Sequence, residues 1–287
     1  MVKIALAQYP ITFHKSLPDW EKHVEKWIGE AAKEKAQFIL FPEYGAMELT
    51  SLLTADERID LKTQSKNLKK YLEPFIEFYE KQAVQHKVWI IAPSFPLLLE
   101  NGKTVNRAYV FSPNGQEGFQ DKIYMTRFED EDWNIQSGAT ELKIFKSPWF
   151  DFSIAICFDT EFAEPAIKAA HRGAKVLFAP SCTETLRGLH RVHVGARARA
   201  LENQMYVAVA QTVGNAQWSP AVDINNGQAA VYGPPDLGFP EDGIIAVGEL
   251  NQPSWLYSEI DVSLVDQVRT QGAVLNYKKH KQILKIS

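Results

Sequence analysis

Short runs of β-branched and apolar residues, each closed by turn residues, alternate along this chain with stretches of helical periodicity. That alternation restricts the fold to the α/β class. Val2 to Gln8 reads as a buried strand. Ser16-Leu17-Pro18-Asp19 then opens a helix, with Ser16 as the N-cap candidate and Pro18 in the permitted first turn. Trp20, Val24, Trp27, Ile28 and Ala31 repeat at helical spacing and give that helix one buried stripe. The chain returns to strand at Phe38-Ile39-Leu40-Phe41, which Pro42-Glu43-Tyr44-Gly45 breaks. The first unit is therefore β-α-β, with Glu43 at the carboxyl end of its second strand.

A long helical stretch from about Lys62 to His86 follows, with a kink or break expected at Pro74. Strands are expected at Val88 to Ala92, at Val105 to Phe111 and, after the turn Pro113-Asn114-Gly115, toward Lys122 as an antiparallel hairpin. Leu142 to Phe145 and Phe152 to Ile156 read as two more. A helix from about Pro165 to His171 leads to a strand at Val176 to Pro180. A helix over roughly Arg191 to Asn203 precedes the strand Tyr206 to Gln211. Beyond it, Asn226-Gly227 and Gly233-Pro234-Pro235 mark turns, strands are expected near Ile244 to Glu249 and Trp255 to Ile260, and a last helix ends in Lys278-Lys279-His280-Lys281. Without repeats, low-complexity segments or an evident linker, residues 1–287 are expected to form one α/β domain with a mixed sheet or two sheets.

The net charge of −4 offers no electrostatic case for nucleic acid or an anionic membrane, and the short basic tail does not alter that. No run approaches the roughly 18 apolar residues of a membrane span, and the apolar N-terminus is too short for a signal peptide. Only two cysteines occur, Cys157 and Cys182, so no disulfide framework is expected. These features lead us to expect a cytoplasmic protein with reduced thiols.

Cys157 ends the apolar run Ile154-Ala155-Ile156, and the chain then turns through Phe158-Asp159-Thr160-Glu161 into a helix with Pro165 near its first turn. Strand, sharp turn and helix lift one side chain out at a sheet's carboxyl edge and leave the following N–H groups free to face a ligand. Glu43, Lys122 and Cys157 all sit where strands end. A carboxylate can take a thiol's proton, and an ammonium can stabilise a thiolate and a developing oxyanion. Each residue alone also fits a packing or surface role, and spacing by itself leaves the function undecided.

The surrounding words narrow the choice. Phe41-Pro42-Glu43-Tyr44, Asp121-Lys122-Ile123-Tyr124-Met125 and Ile156-Cys157-Phe158-Asp159 ahead of Phe162 and Pro165 resemble, in this order, the three signature segments of the nitrilase superfamily of carbon–nitrogen hydrolases. The N-terminal strand, Gly173 to Ser181 and Arg197 to Gln204 are similar as well, so the likeness spans about Lys3 to Gly214. The resemblance implies a four-layer α-β-β-α sandwich that associates into a homodimer or higher homo-oligomer, and it implies no metal or organic cofactor. It makes Glu43 the general base, Cys157 the nucleophile that forms a thioester, and Lys122 with the backbone N–H of Phe158 the oxyanion donors. It also calls for a second glutamate after the lysine. The wording Thr126 to Trp133 departs from the family's common form, and Glu129 is the first choice there, with Glu131 second.

Tyr44, Trp133, Cys182 and Thr183 are expected to line the pocket, Cys182 because a right-handed crossover sets its strand beside that of Cys157. His190 and His193 could share a helix face, but no third ligand lies near them in sequence, so no metal site is expected there. Arg197, Arg199 and Glu202 read as an ion-pair network behind the site or at a subunit contact. The function implied is thiol-dependent hydrolysis of a nonpeptide C–N bond in a small linear amide or N-carbamoyl amine. A nitrilase or acyltransferase using the same three residues, and an inactive subunit that binds partners, are the alternatives.

Overall fold

The computed structural model describes residues 1–284. Its first half runs β1 (Val2–Pro10), α1 (Leu17–Lys33), β2 (Phe38–Leu40), α2 (Ala55–Ile59), α3 (Leu61–Leu68) and α4 (Leu72–His86). Then come β3 (Trp89–Ile91), β4 (Phe95–Leu98), β5 (Thr104–Ser112), β6 (Gly115–Asp121), β7 (Phe145–Lys146) and β8 (Asp151–Ile154). The second half continues with α5 (Ala163–His171), β9 (Val176–Ser181), α6 (Leu186–Asn203), β10 (Tyr206–Asn215), β11 (Ile224–Asn225) and β12 (Ala230–Tyr232). It closes with β13 (Ile244–Val247), β14 (Ser254–Ile260), α7 (Ser263–Gln271) and α8 (Asn276–Leu284).

The strands form two wings joined at one seam. β4-β5-β3-β2-β1 makes the first, with β6 on β5 and β14 on β1; β10-β9-β8-β7 makes the second, with β12 and β13 beyond β10. The seam is a short parallel pairing of Gln8, Tyr9 and Pro10 with Gln211, Thr212 and Val213. Alternation along the strands then assigns the layers. On β1, Ile4 and Leu6 point between the wings and pack with β8, β9 and β10, whereas Ala5, Ala7 and Tyr9 point under α1 and α4. Phe38 of β2 crosses the inter-wing space and meets Phe152 and Phe178 of the other wing, with ring centroids 5.6 and 5.7 Å apart. α5 and α6 cover the second wing's outer face through Ala166, Ala170, Val192 and Ala196. The layers are α-β-β-α, as expected.

Several boundaries move. The 62–86 stretch is two helices separated by a 3-10 turn over Lys69–Tyr71. Pro74 lies in the first turn of α4, where its missing N–H costs nothing, so it kinks no helix. Only Phe145–Lys146 pairs in the region expected to be a strand from Leu142. α6 begins at Leu186 rather than Arg191, because the Thr185 hydroxyl accepts a hydrogen bond from Gly188 N and caps it there.

The topology directs the site. β1, β2, β8, β9 and β10 are mutually parallel, and β6, antiparallel to β5 as β5 is to β3, runs the same way. The residues that follow β2, β6, β8 and β9 therefore emerge on one edge: Glu43, Lys122, Cys157 and Cys182.

Candidate active site

Glu43, Lys122 and Glu129 are almost completely buried, and they touch. Lys122 Nζ donates to Glu43 Oε1 at 2.8 Å and to Glu129 Oε2 at 2.6 Å. Glu129 is brought inward by a π turn over Phe128–Asp132. Its carboxylate also accepts from the Tyr44 hydroxyl at 2.6 Å and from the amide and hydroxyl of Thr126 at 2.9 Å each. Glu131 instead faces solvent and pairs with Arg127. Of the two glutamates weighed from sequence, Glu129 is the one beside Lys122.

The two carboxylates are inequivalent. Glu43 Oε1 takes a further hydrogen bond from Asn106 Nδ2 at 2.8 Å, and Oε2 accepts from the Cys182 amide at 3.0 Å. Burial raises the pKa of Glu43, the Lys122 charge only partly offsets that, and the Glu129 anion adds to the rise. Burial acts on Glu129 in the same direction, but Lys122, Tyr44 and Thr126 outweigh it and hold that carboxyl below its ordinary value. Burial alone would depress Lys122; Glu129 and Glu43 prevail and keep the ammonium well above its usual range. Environments that push two carboxyls apart separate a proton carrier from a fixed anion.

Cys157 adopts φ +47, a left-handed conformation uncommon for a residue with a side chain. It starts a 3-10 turn through Glu161, so the Phe158 amide falls in the first turn, where a helix provides no internal acceptor. The thiol donates to the Cys182 carbonyl at 3.7 Å, and the Glu43 carboxylate, which accepts from the Cys182 amide, lines the same cavity. Burial first, and the Glu43 charge second, push its pKa well above the ordinary thiol value. Lys122 is already matched by two carboxylates, so the resting group is a thiol with a base beside it.

The turn is held from behind. Asp159 accepts from the amides of Ile123, Tyr124 and Ile156, tying the Lys122 segment to the Cys157 turn. Burial raises its pKa to about 7. Arg199 donates to the Thr160 carbonyl at 2.9 Å and pairs with Glu202, while Arg197 reaches the Asp242 carbonyl and stands outside that network. His193 bonds Tyr232 and Gln211 through its two ring nitrogens, and His190 is exposed.

A cavity of about 410 Å³ opens over this group, and Tyr44, Trp133, Phe158, Cys182 and Thr183 all line it. Tyr44 and Trp133 pack at 4.6 Å between centroids. The Cys182 thiol, pushed up to about 12 by burial and then by Glu43, approaches Asn225 Oδ1 at 3.3 Å. Both cysteines are free. Asn106 was missed from sequence because a polar residue inside β5 looks like the solvent-facing half of an alternating strand. Asp159 sat inside the quoted motif without a role.

Comparison with known proteins places the chain in a family. The carbon-nitrogen hydrolase family model matches residues 3–270, and the chain belongs to that family. It is 31% identical over 281 residues to "Probable hydrolase YhcX" of Bacillus subtilis (strain 168); the match takes in 98% of this chain but only 54% of that relative, so the chain spans about half its length. It is 27% identical over 283 residues to "Omega-amidase NIT2-A" of Xenopus laevis, covering 94% of this chain and 92% of the relative. Among solved structures, a Helicobacter pylori carbon-nitrogen hydrolase superposes with a TM-score of 0.77 at 18% identity, covering 94% and 92% of the two chains. Nit3 of Saccharomyces cerevisiae, a nitrilase-superfamily member, gives 0.74 at 22% identity over 94% and 93%. These two establish the shared fold. No helix among the described residues is long and apolar enough to cross a membrane.

Proposed function

We propose that this chain, acting as one domain over residues 1–287, is an amidase-type carbon–nitrogen hydrolase. Its substrates are small linear amides or N-carbamoyl amines, and Cys157, Glu43 and Lys122 carry the reaction. One observation supports this most: a buried thiol, a carboxyl of raised pKa and an ammonium face one cavity from three different strand ends. The omega-amidase name of a 27% identical relative favours an amide over a nitrile.

The steps follow from the protonation states. As the Cys157 sulfur attacks the amide carbonyl carbon, its proton passes to Glu43, whose raised pKa makes it a competent acceptor. The tetrahedral oxyanion is held by Phe158 N–H and by the third N–H of Lys122, the other two being engaged by Glu43 and Glu129. The C–N bond breaks as Glu43 returns its proton to the leaving nitrogen, leaving a thioester. Water then attacks the thioester carbonyl and gives a proton to Glu43, and that proton goes back to sulfur as the acid departs. Glu129 keeps its charge throughout and positions Lys122. From the family resemblance the chain is proposed to associate into a homodimer or higher homo-oligomer, which light scattering of the purified protein measures.

The test pairs labelling with turnover. Iodoacetamide followed by peptide mass spectrometry is expected to modify Cys157 rapidly and ahead of Cys182, and Glu43→Gln is expected to slow that modification sharply. Ammonia and amine release over a panel of ω-amides, carbamoyl amines and nitriles names the substrate class. Slow, unselective labelling, or turnover that survives Cys157→Ala, refutes the assignment.

A further inference from the structure

A second cluster of chemically capable side chains lies away from the cavity. Glu48 belongs to the 3-10 turn Gly45–Leu52, His14 to the loop after β1, and His23 to α1. Glu48 is fully buried, yet among the described residues its only ion-pair neighbours are these two imidazoles. His14 Nε2 and His23 Nε2 stand 3.5 and 3.8 Å from the same oxygen, Oε1. Both nitrogens are buried and neither has a hydrogen-bond partner. His14 is 6% exposed, so the lack of a partner is not made good by bulk water.

These separations are too long for N–H···O hydrogen bonds, which run about 2.7–3.2 Å. They are close to what a shared ion requires: two ligands each about 2.0–2.1 Å from a tetrahedral zinc stand roughly 3.3–3.4 Å apart. All three ligand atoms lie within 4.8 Å of one another. The carboxylate is also oriented from behind. The Tyr9 hydroxyl donates to Oε2 at 2.8 Å and the Thr12 amide to Oε1 at 2.8 Å, which presents the remaining lone pair of Oε1 to the histidines. Such outer hydrogen bonds are the usual support of a metal-binding carboxylate.

We propose that His14, His23 and Glu48 form a binding site for a divalent zinc-like cation, with the fourth position left to water. Two imidazoles and one carboxylate suit zinc, or the nickel and cobalt ions that share its taste for nitrogen. The ion joins the loop after β1, helix α1 and the turn that begins directly after Glu43 and Tyr44. Its role is to brace that turn, outside the chemistry of Cys157. Sequence gave no sign of it, because the ligands are nine and twenty-five residues apart along the chain and match no metal-binding spacing.

Calorimetric titration of the EDTA-treated 287-residue protein with Zn²⁺ tests the site, in a Cys157→Ala background so that the nucleophile candidate binds no metal. One equivalent is expected to bind, with a rise in Tm. His23→Gln, at a partly exposed helix position that the fold tolerates, is expected to weaken binding at least tenfold and to remove that rise. His14→Gln should do the same, while His190→Gln should leave both intact. With Co²⁺ in place of zinc, the visible spectrum should carry tetrahedral d–d bands without sulfur-to-metal charge transfer. Absence of stoichiometric binding, unchanged affinity in folded His23→Gln, or a thiolate charge-transfer band would each overturn the proposal.

Discussion

Glu129→Gln exposes the reasoning about the two carboxyls most directly. The substitution keeps the shape and removes the charge from the group 2.6 Å from Lys122 Nζ. Glu129 and Glu43 flank the same ammonium, so their charges sit roughly 5 Å apart; at an effective dielectric near 20, that repulsion is about 3 kcal/mol. Removing it lowers the pKa of Glu43 by up to about two units, and Lys122, freed from one partner, pulls it in the same direction. A base must be ionised to accept the thiol proton, so the acid limb of the kcat/KM profile follows the Glu43 pKa. In Glu129→Gln that limb moves to lower pH by about one to two units, while kcat at the plateau drops on the order of a hundredfold because a weaker base and a less anchored ammonium serve the same step. The assay is initial-rate amide hydrolysis from pH 4 to 9, with a thermal melt at each pH to confirm folding. An acid limb that stays in place in a folded variant would show that Glu129 exerts no charge on Glu43, and the division of roles between them would fail.

Three further outcomes are expected. Tyr44→Phe removes the 2.6 Å hydroxyl contact to Glu129 and should lower stability in urea by about 1.5–3 kcal/mol, with a fall in kcat, since the lost bond is to a buried charge. Gly195→Ala sets a Cβ 2.8 Å from the Thr160 carbonyl, backbone that supports the Cys157 turn; a cost of about 1–3 kcal/mol in thermal or urea unfolding and slower Cys157 alkylation should follow. Asp159 has a folded pKa near 7, above its unfolded value of 3.8, so its contribution is present in full below about pH 3.8 and is lost as pH rises through 7. Asp159→Asn should flatten that downward slope of unfolding free energy between about pH 4 and 7; an unchanged slope would show that the slope has another source.

Legibility from sequence followed a physical division. Elements announced by local chemistry were readable: β1 by its apolar run, α1 by Ser16, whose hydroxyl accepts from the Asp19 amide at 3.3 Å, and the β5–β6 hairpin by Asn114-Gly115. β4 escaped notice because Pro96 interrupts a four-residue strand, and Pro is tolerated there only where the ladder does not need its N–H. Glu43, Lys122 and Cys157 were readable because each ends a strand inside a recognisable phrase. Asn106, bonded to Glu43, and Asp159, bonded to three amides, act through partners far away in sequence. Nothing local distinguishes them from ordinary polar residues.

The proposed reaction requires a thiol this deeply buried to serve chemistry, and the arrangement around it bears on how it would do so. Burial first, and then the Glu43 charge that Lys122 only partly offsets, disfavour a standing thiolate at Cys157 and push its pKa up. Burial above all, with the Glu129 anion adding to it against Lys122, raises Glu43, so this carboxylate gains affinity for a proton such as the one on the neighbouring thiol. Burying these groups costs stability, and apolar residues of similar volume would often hold a core as well or better. What apolar packing cannot do is move a proton between sulfur and carboxylate beside a fixed donor. In the reaction proposed above, the sulfur becomes anionic only as substrate is attacked, its proton passing to Glu43 while the developing oxyanion meets the free N–H of Lys122 and the Phe158 amide.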